Sequence, residues 1–226
     1  MRDIILASNS SRRKSLLEML NVPFTVMESG VNERVEEKNY KEQGIEHTPY
    51  EWVKAISEIK AETVGKKAGN DKIIIAADTI VTYMGKIVHR PFEKSQAIEM
   101  LEKLSGHKHT VYTGLAVMYI DQNGNGKVNS MVSATDVYMR KLNLEEIEAY
   151  VNTKEPYDKA GGYGIQGKGS LLIDHIDGDY YTVVGLPLAL LFEELRNNGV
   201  NIMDFWKWGH MGFPVGGSRF FVDIMV

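Results

Sequence analysis

The chain has 226 residues, 43% of them hydrophobic, with 26 basic against 30 acidic side chains for a formal net charge of −4, and it contains no cysteine. Its length and apolar content suffice for one large core or two small ones, and the slight acidity offers no overall basic field to hold a nucleic-acid polymer. The lack of thiols excludes a disulfide scaffold, a cysteine nucleophile and a Cys-ligated zinc site. The opening MRDIILASNS has no charged-then-apolar leader pattern and no apolar run reaches the length of a membrane span. A soluble protein of the cytoplasm is therefore expected, with no membrane partner.

The first element is a short apolar strand, Ile4, Ile5 and Leu6, and Leu16, Leu17 and Leu20 then recur at helical spacing. Between them lies ASNSSRRKS, a polar strand-to-helix turn. A turn of this kind ends at a helix N-terminus, where free backbone N–H groups and the dipole favour an anion and where hydroxyls and guanidinium forks add donors. A cap by Ser10 or Ser11 would account for one serine and leave the rest of the cluster unexplained. PFTVMES reads as a strand and GVNERVEEKNYKEQG as a charged loop. Thr48, Pro49 and Glu51 in TPYEW form a capping box with proline at the first helical position, which predicts a helix to about Ala68.

Lys72 to Tyr83, KIIIAADTIVTY, is β-branched and too apolar to face water on either side, which predicts a central strand. Asp78 sits inside it. An ionised carboxylate there needs a partner or a metal, and it either points into a cleft or bonds a neighbouring backbone. Met84, Gly85 and Lys86 turn the chain into KIVHR, which Pro91 stops just after Arg90. SQAIEMLEKL follows as a helix ended by Gly106, then two long strands, HTVYTGLAVMYI and VNSMVSATDVYM, around DQNGNG. LEEIEAYVN is a helix, SLLIDHIDGDYYTVVG a hairpin, and PLALLFEELRNN a helix with Pro187 near its start. Helical crossovers mixed with hairpins imply an α/β fold with a mixed sheet, arranged as two lobes around a cleft. The last stretch, 199–226, is aromatic and glycine-rich with little periodicity, and reads either as an appendage packed on its own domain or as a partner-docking tail.

Three motif matches fail on context. Gly162 to Gly167 satisfies GxGxxG without a preceding buried strand or a following helix. Asp121 to Gly126 starts like a calcium loop but has Val132 where a glutamate is required. Asn9-Ser10-Ser11 is a glycosylation sequon in a chain without a secretory pattern. His47, His89, His107, His109, His175 and His210 are scattered and form no helix-face pair, which argues against zinc. In DKAGGYGIQGKGS, by contrast, a flexible backbone can approach a ligand closely and Gln166 can read a donor/acceptor edge, which suits a nucleobase, or the stretch is a plain surface loop.

Taken together, ILASNSSRRKSLLEML, IIIAADTIV, the basic residue before Pro91, MLEKLSGHKHTVYTG and EPYDKAGGYGIQGKG resemble the Maf family of nucleoside triphosphate pyrophosphatases in order and spacing, over roughly residues 3 to 196. GYGIQG is similar to the branch acting on dTTP and UTP. The resemblance implies an α/β fold of the Maf and inosine triphosphate pyrophosphatase type, a mixed twisted sheet with flanking helices and two lobes around a central cleft. It implies a catalytic domain over 1–198 with 199–226 as an extension of unassigned role, a homodimer, and Mg²⁺ or Mn²⁺. It also implies roles for residues: Ser8, Arg12 and Arg13 in the phosphate-binding turn, Asp78 as catalytic aspartate, Glu33 as a carboxylate near the metal, Lys60 as the helix lysine, and Gln166 as a substrate reader. Glu33 and Asp78 would hold the metal. Arg90 stands where the family usually has lysine; it keeps the charge and adds a planar fork, but cannot supply a proton at working pH. The chain also has Asn9, Ser10 and Ser11 where the family commonly places a proline before the arginines. The implied reaction is hydrolysis at the α-phosphorus to nucleoside monophosphate and pyrophosphate. The competing reading is a nucleotide-binding regulator of cell division whose catalysis has lapsed.

Overall fold

The computed structural model describes residues 2–208. The elements run β1 (Asp3–Leu6), α1 (Ser11–Met19), β2 (Thr25–Val26), α2 (Glu33–Glu42), α3 (Pro49–Ala68), β3 (Lys72–Tyr83), β4 (Lys86–Val88), α4 (Lys94–Leu104), β5 (Lys108–Ile120), β6 (Gly126–Met139), α5 (Leu144–Asn152), β7 (Ile173–Asp177), α6 (Tyr180–Val184), α7 (Leu188–Asn197) and α8 (Met203–Trp208). Three 3-10 turns lie between α5 and β7, at Glu155–Asp158, Ala160–Gly162 and Gly167–Leu172.

The strands form one mixed sheet in the order β2-β1-β3-β5-β6-β7, with β4 also on β3. β2 and β3 run parallel to β1, and every other pairing is antiparallel. The edge of β3 opposite β5 is shared: β1 covers Lys72 to Ile75 and β4 covers Val81 to Tyr83. Between them, around Asp78 and Thr79, that edge has no strand beside it, and the sheet opens there into a cleft. Such a break in strand neighbours is where open α/β sheets commonly take ligands.

The pleat decides what each face buries. Ile73, Ile75 and Ala77 pack with α1 and α7, while Ile74 and Ala76 pack under α3 with Ala61 and Val64. A second lobe gathers Val81 and Val111 with α4 and α5. Each buried Ile or Leu contributes about 1.5–3 kcal/mol, so these layers set the frame of the cleft. α3 lies very close to the sheet at Gly114, where a Cβ would fall 2.1 Å from the Val53 carbonyl oxygen. Only a glycine permits that approach, and it brings the helix down beside Asp78, which is registered with Gly114.

Several expectations hold. Thr48 and Glu51 form the reciprocal cap of α3, β3 spans Lys72–Tyr83 as read, and DQNGNG is a hairpin turn in which the Asp121 carboxylate accepts from the Asn123 and Asn125 amides, both at 2.8 Å. Others are corrected. The charged loop is a helix, α2, although it buries none of its residues. Asn32 caps it, Glu33 and Glu36 sit in its first turn and Lys41 in its last, and Lys38–Glu42 and Lys41–Glu37 pair at i,i+4; dipole, cap and ion pairs replace the apolar stripe that the sequence reading sought. The hairpin expected over residues 170–185 is strand β7 followed by a short helix, because the Asp179 side chain accepts from the Thr182 amide at 2.7 Å and caps α6. PFTVMES contributes only two strand residues. Of the aromatic extension, the described part packs locally: Ile202 is buried, Phe205 lies against the α1–α7 core, and the Trp206 indole N–H donates to the Leu20 carbonyl at 2.6 Å. The rest of that stretch lies outside the described residues.

Candidate active site

A cavity of about 430 Å³ occupies the cleft, and Ser8, Arg12, Arg13, Glu33, Lys60, Asp78, Arg90 and Gln166 all line it. A second cavity of about 310 Å³ adjoins it, sharing Glu33, Asp78, Thr79, Arg90 and Ala160. Seven separate elements or loops supply the eight residues, so the convergence is a property of the fold.

On the α3 side of β3, the Lys60 ammonium bridges two carboxylates, donating to Asp78 Oδ1 at 2.8 Å and to Glu33 Oε1 at 2.7 Å. Lys60 and Asp78 are buried, with side chains 10% and 7% exposed, whereas the Glu33 side chain is 40% exposed. The burial of Asp78 follows from its place between Ala76 and Ile80 on a central strand, and Lys60 follows from α3 packing at Gly114. Two of the three groups are thus fixed by core packing; the third hangs from α2, which has no buried residue. For Glu33, burial raises the carboxyl, but the charge and hydrogen bond of Lys60 outweigh it and hold it below its ordinary range, with Arg90 adding to the effect.

On the opposite side, Arg13 is locked. Its Nε donates to the Gly185 carbonyl at 2.7 Å, Nη1 to Ser8 Oγ at 3.2 Å and Nη2 to Thr79 Oγ1 at 3.0 Å. Enclosure lowers its guanidinium to about 10, mainly through loss of water. Gly185 has φ 115°, and a Cβ there would meet Thr79 Oγ1 at 3.2 Å, so glycine serves both the turn and the approach of the arginine. Ser10 is the N-cap of α1; the cap and the cavity lining coexist, Ser8 accepting from Arg13 while Ser10 starts the helix.

Across the mouth, Arg12 Nη1 meets Asp158 Oδ2 at 3.0 Å, and Lys159 Nζ meets the other oxygen of Asp158 at 2.6 Å. This ion chain joins α1 of one lobe to the turns after α5 in the other. Arg90 and Gln166 are exposed on the rim, with no ion pair for Arg90 among the described residues. The sequence reading missed Thr79 and Gly185 and gave Lys159 no role of its own. Lys159 stood in the quoted DKAGG stretch, but Thr79 and Gly185 carry no local signal, since only strand register and the end of α6 place them.

Among the described residues no group of three His, Cys, Asp or Glu side chains is placed to hold a metal. The carboxylate pair fits a narrower demand. One ammonium already reaches both Glu33 and Asp78, so one cation can do so, and Mg²⁺ commonly takes one or two carboxylates and completes its shell with water and ligand oxygens. The arrangement offers hard oxygen donors on one wall, a half-open carboxylate, and several fixed or rim cations facing them, which suits a polyanion that arrives with its own metal-binding oxygens.

Curated relatives share most of this chain. A dTTP/UTP pyrophosphatase of Bacillus anthracis (strain CDC 684 / NRRL 3495) is 45% identical over 202 residues, covering 89% of this chain and 98% of its own length. Proteins of the same name from Bacillus cereus (strain AH820) and Bacillus thuringiensis subsp. konkukian (strain 97-27) are each 45% identical over the same extent. The model of the Maf-like protein family matches residues 3–198, a span that includes every residue of the cleft named above, and the chain belongs to that family.

Proposed function

We propose that the chain is a nucleoside triphosphate pyrophosphatase that hydrolyses dTTP and UTP at the α-phosphorus, giving the nucleoside monophosphate and pyrophosphate and so cleansing the nucleotide pool. The observation that supports this most is the meeting of Glu33, Lys60 and Asp78 with Ser8, Arg12, Arg13, Arg90 and Gln166 around one cavity. The relatives named dTTP/UTP pyrophosphatase match across that whole region.

Asp78 is the general base, buried and poised to accept the proton of an attacking water. Lys60 holds its carboxylate in place and orients Glu33 against it. Arg12 and Arg90 face the polyphosphate and neutralise charge moving onto the leaving pyrophosphate. Arg12 is released for this when phosphate displaces the exposed carboxylate of Asp158, whose side chain is 64% exposed. Arg13 stays fixed and shapes the wall behind the substrate. Gln166, on the rim, reads the base. Glu33 and Asp78 would hold Mg²⁺ or Mn²⁺, which when bound supplies electrostatic stabilisation of the phosphate oxygens. The working assembly is a homodimer, which light scattering on the purified chain measures directly.

The experiment is pyrophosphate release from dTTP, UTP, CTP, 7-methyl-GTP and ITP, with and without Mg²⁺, beside Asp78→Asn. Release from dTTP or UTP that needs both the metal and Asp78 is the expected result. Release from 7-methyl-GTP alone overturns the substrate assignment, and an active Asp78→Asn protein overturns the mechanism.

A further inference from the structure

Resting on that functional reading, the neutral side of the cleft carries more information than a list of contacts suggests. Thr79 lines the cavity. Its Oγ1 lies 2.9 Å from Thr113 Oγ1, and Thr113 Oγ1 in turn lies 2.7 Å from the Thr182 carbonyl oxygen. Thr113 itself is fully buried and does not line the cavity.

The direction of every proton in this chain can be worked out. A hydroxyl has one proton to give and two lone pairs to receive with. The Thr182 carbonyl stands at the end of α6, where helix carbonyls lose their intrahelical donors; the Gly185 and Leu186 amides both go to the Tyr181 carbonyl instead, at 2.9 and 3.0 Å, and residue 187 is a proline with no N–H. A buried carbonyl so placed costs about 1–3 kcal/mol if left unpaired, and the Thr113 hydroxyl is the donor that reaches it. Having given its proton there, Thr113 can only accept from Thr79. Thr79 therefore gives its own proton to Thr113 and can only accept from Arg13 Nη2, which has no other role to play since a guanidinium only donates. The order runs Arg13 to Thr79 to Thr113 to the Thr182 carbonyl, with no alternative arrangement of the protons.

We propose that Thr113 is a positioning residue for substrate selection: it commits the Thr79 proton inward, so that toward the cleft Thr79 offers a lone pair and no hydrogen. A phosphate oxygen gains nothing from such a group, because both would be acceptors. An N–H donor does. The imide N3–H of uracil or thymine supplies one at that ring position, where cytosine N3 is a bare acceptor and the donor of cytosine is displaced to its exocyclic N4 amino group. The orphan carbonyl of α6 thus sets, two hydroxyls away, which pyrimidine edge the wall accepts, and places the base rather than the triphosphate against Thr79.

The test compares affinities of wild type, Thr113→Ser, Thr113→Cys and Thr113→Val for the α,β-imido analogues of UTP and CTP by calorimetry, with thermal melting alongside. Serine keeps the donor. Cysteine has nearly the size of serine but a weak S–H donor, so it separates donor strength from packing even where valine fails to fold. Wild type and Thr113→Ser are expected to favour the UTP analogue by about tenfold or more, and Thr113→Cys to bring the ratio below about threefold, the scale of one hydrogen bond. An unchanged ratio in Thr113→Cys, whatever its melting temperature, overturns the proposal, as does a wild-type ratio near one. Failure of pyrophosphate release with the binding ratios as expected would remove the catalytic reading and leave this one standing.

Discussion

Asp78 and Thr79 are neighbours on one strand, yet they belong to two different kinds of wall. On the α3 side the site is built from charge: a buried lysine between two carboxylates. On the opposite side the described hydrogen bonds of Arg13 all go to neutral groups, the Ser8 and Thr79 hydroxyls and the Gly185 carbonyl, and the run of hydroxyls continues to Thr113 and the Thr182 carbonyl. The same face of β5 continues to His109, which meets the Tyr163 hydroxyl at 2.6 Å in a buried contact. Charges held together in low dielectric strengthen one another but are costly when one is lost, whereas hydroxyl chains carry direction more than energy. In the proposed reading the first wall promotes the reaction and the second chooses what enters.

The comparison breaks first at Asp78. Replacing it with asparagine removes the proposed base and is expected to lower turnover by about 10²–10⁴-fold while nucleotide binding remains measurable by calorimetry; similar activity on both proteins would erase the proposed catalytic role of the charged wall. Lys60→Met is next. It leaves the Asp78 carboxylate, 7% exposed, without its counter-ion, and a loss of about 3–5 kcal/mol is expected in chemical unfolding. Combining it with Asp78→Asn should restore part of that loss, since no buried charge is then left alone.

The neutral wall has its own pH signature. Burial lowers His109 to about 4 from 6.5, so between these values the unfolded chain binds a proton that the folded one refuses. Stability from this source is whole above pH 6.5 and falls as the pH drops toward 4, by roughly 3 kcal/mol in all. His109→Gln should flatten that part of the pH–stability curve, and an unchanged slope would show that the histidine is not the group responsible. Gly185→Ala sharpens the comparison further: at φ 115° a side chain is strained and presses on Thr79 and Arg13, for an expected cost of about 1–3 kcal/mol. Smallest is the stability change in Glu33→Gln. Glu33 titrates below its ordinary range, so its contribution is present above about pH 4.5 and disappears on acidification through its lowered value. With 40% of the side chain exposed, solvent screening keeps it under about 1 kcal/mol, and the effect on turnover should far exceed the effect on melting.

Much of this molecule could be read before any coordinates. Thr48-Pro49-Tyr50-Glu51 announces α3 because a cap is a local transaction between a hydroxyl, a carboxylate and two amides three residues apart. KIIIAADTIVTY announces β3 because β-branched residues without polar alternation suit a strand covered on both faces. The lone Asp78 in that run pointed at a cleft, and all eight residues named from the family resemblance line one cavity. What misled was of two kinds. Helix α2 lacks an apolar stripe, so periodicity had nothing to detect. The stretch DGDYYTVVG looked like the return of a hairpin until the Asp179 cap turned it into α6.

The sequence by itself determined the elements whose causes lie within a few residues, the family, and the identities of the groups that could do chemistry. Only the tertiary structure decided that Lys60 stands between Glu33 and Asp78, that Gly114 lets α3 descend to put it there, and that Thr113 answers an unpaired carbonyl on α6 and so fixes the proton of Thr79. The reason is one of range. Capping, turns and hydrophobic alternation act along the chain, whereas register across β3 and β5 and the end of a helix far away in sequence bring together groups whose hydrogen bonds then allow a single arrangement.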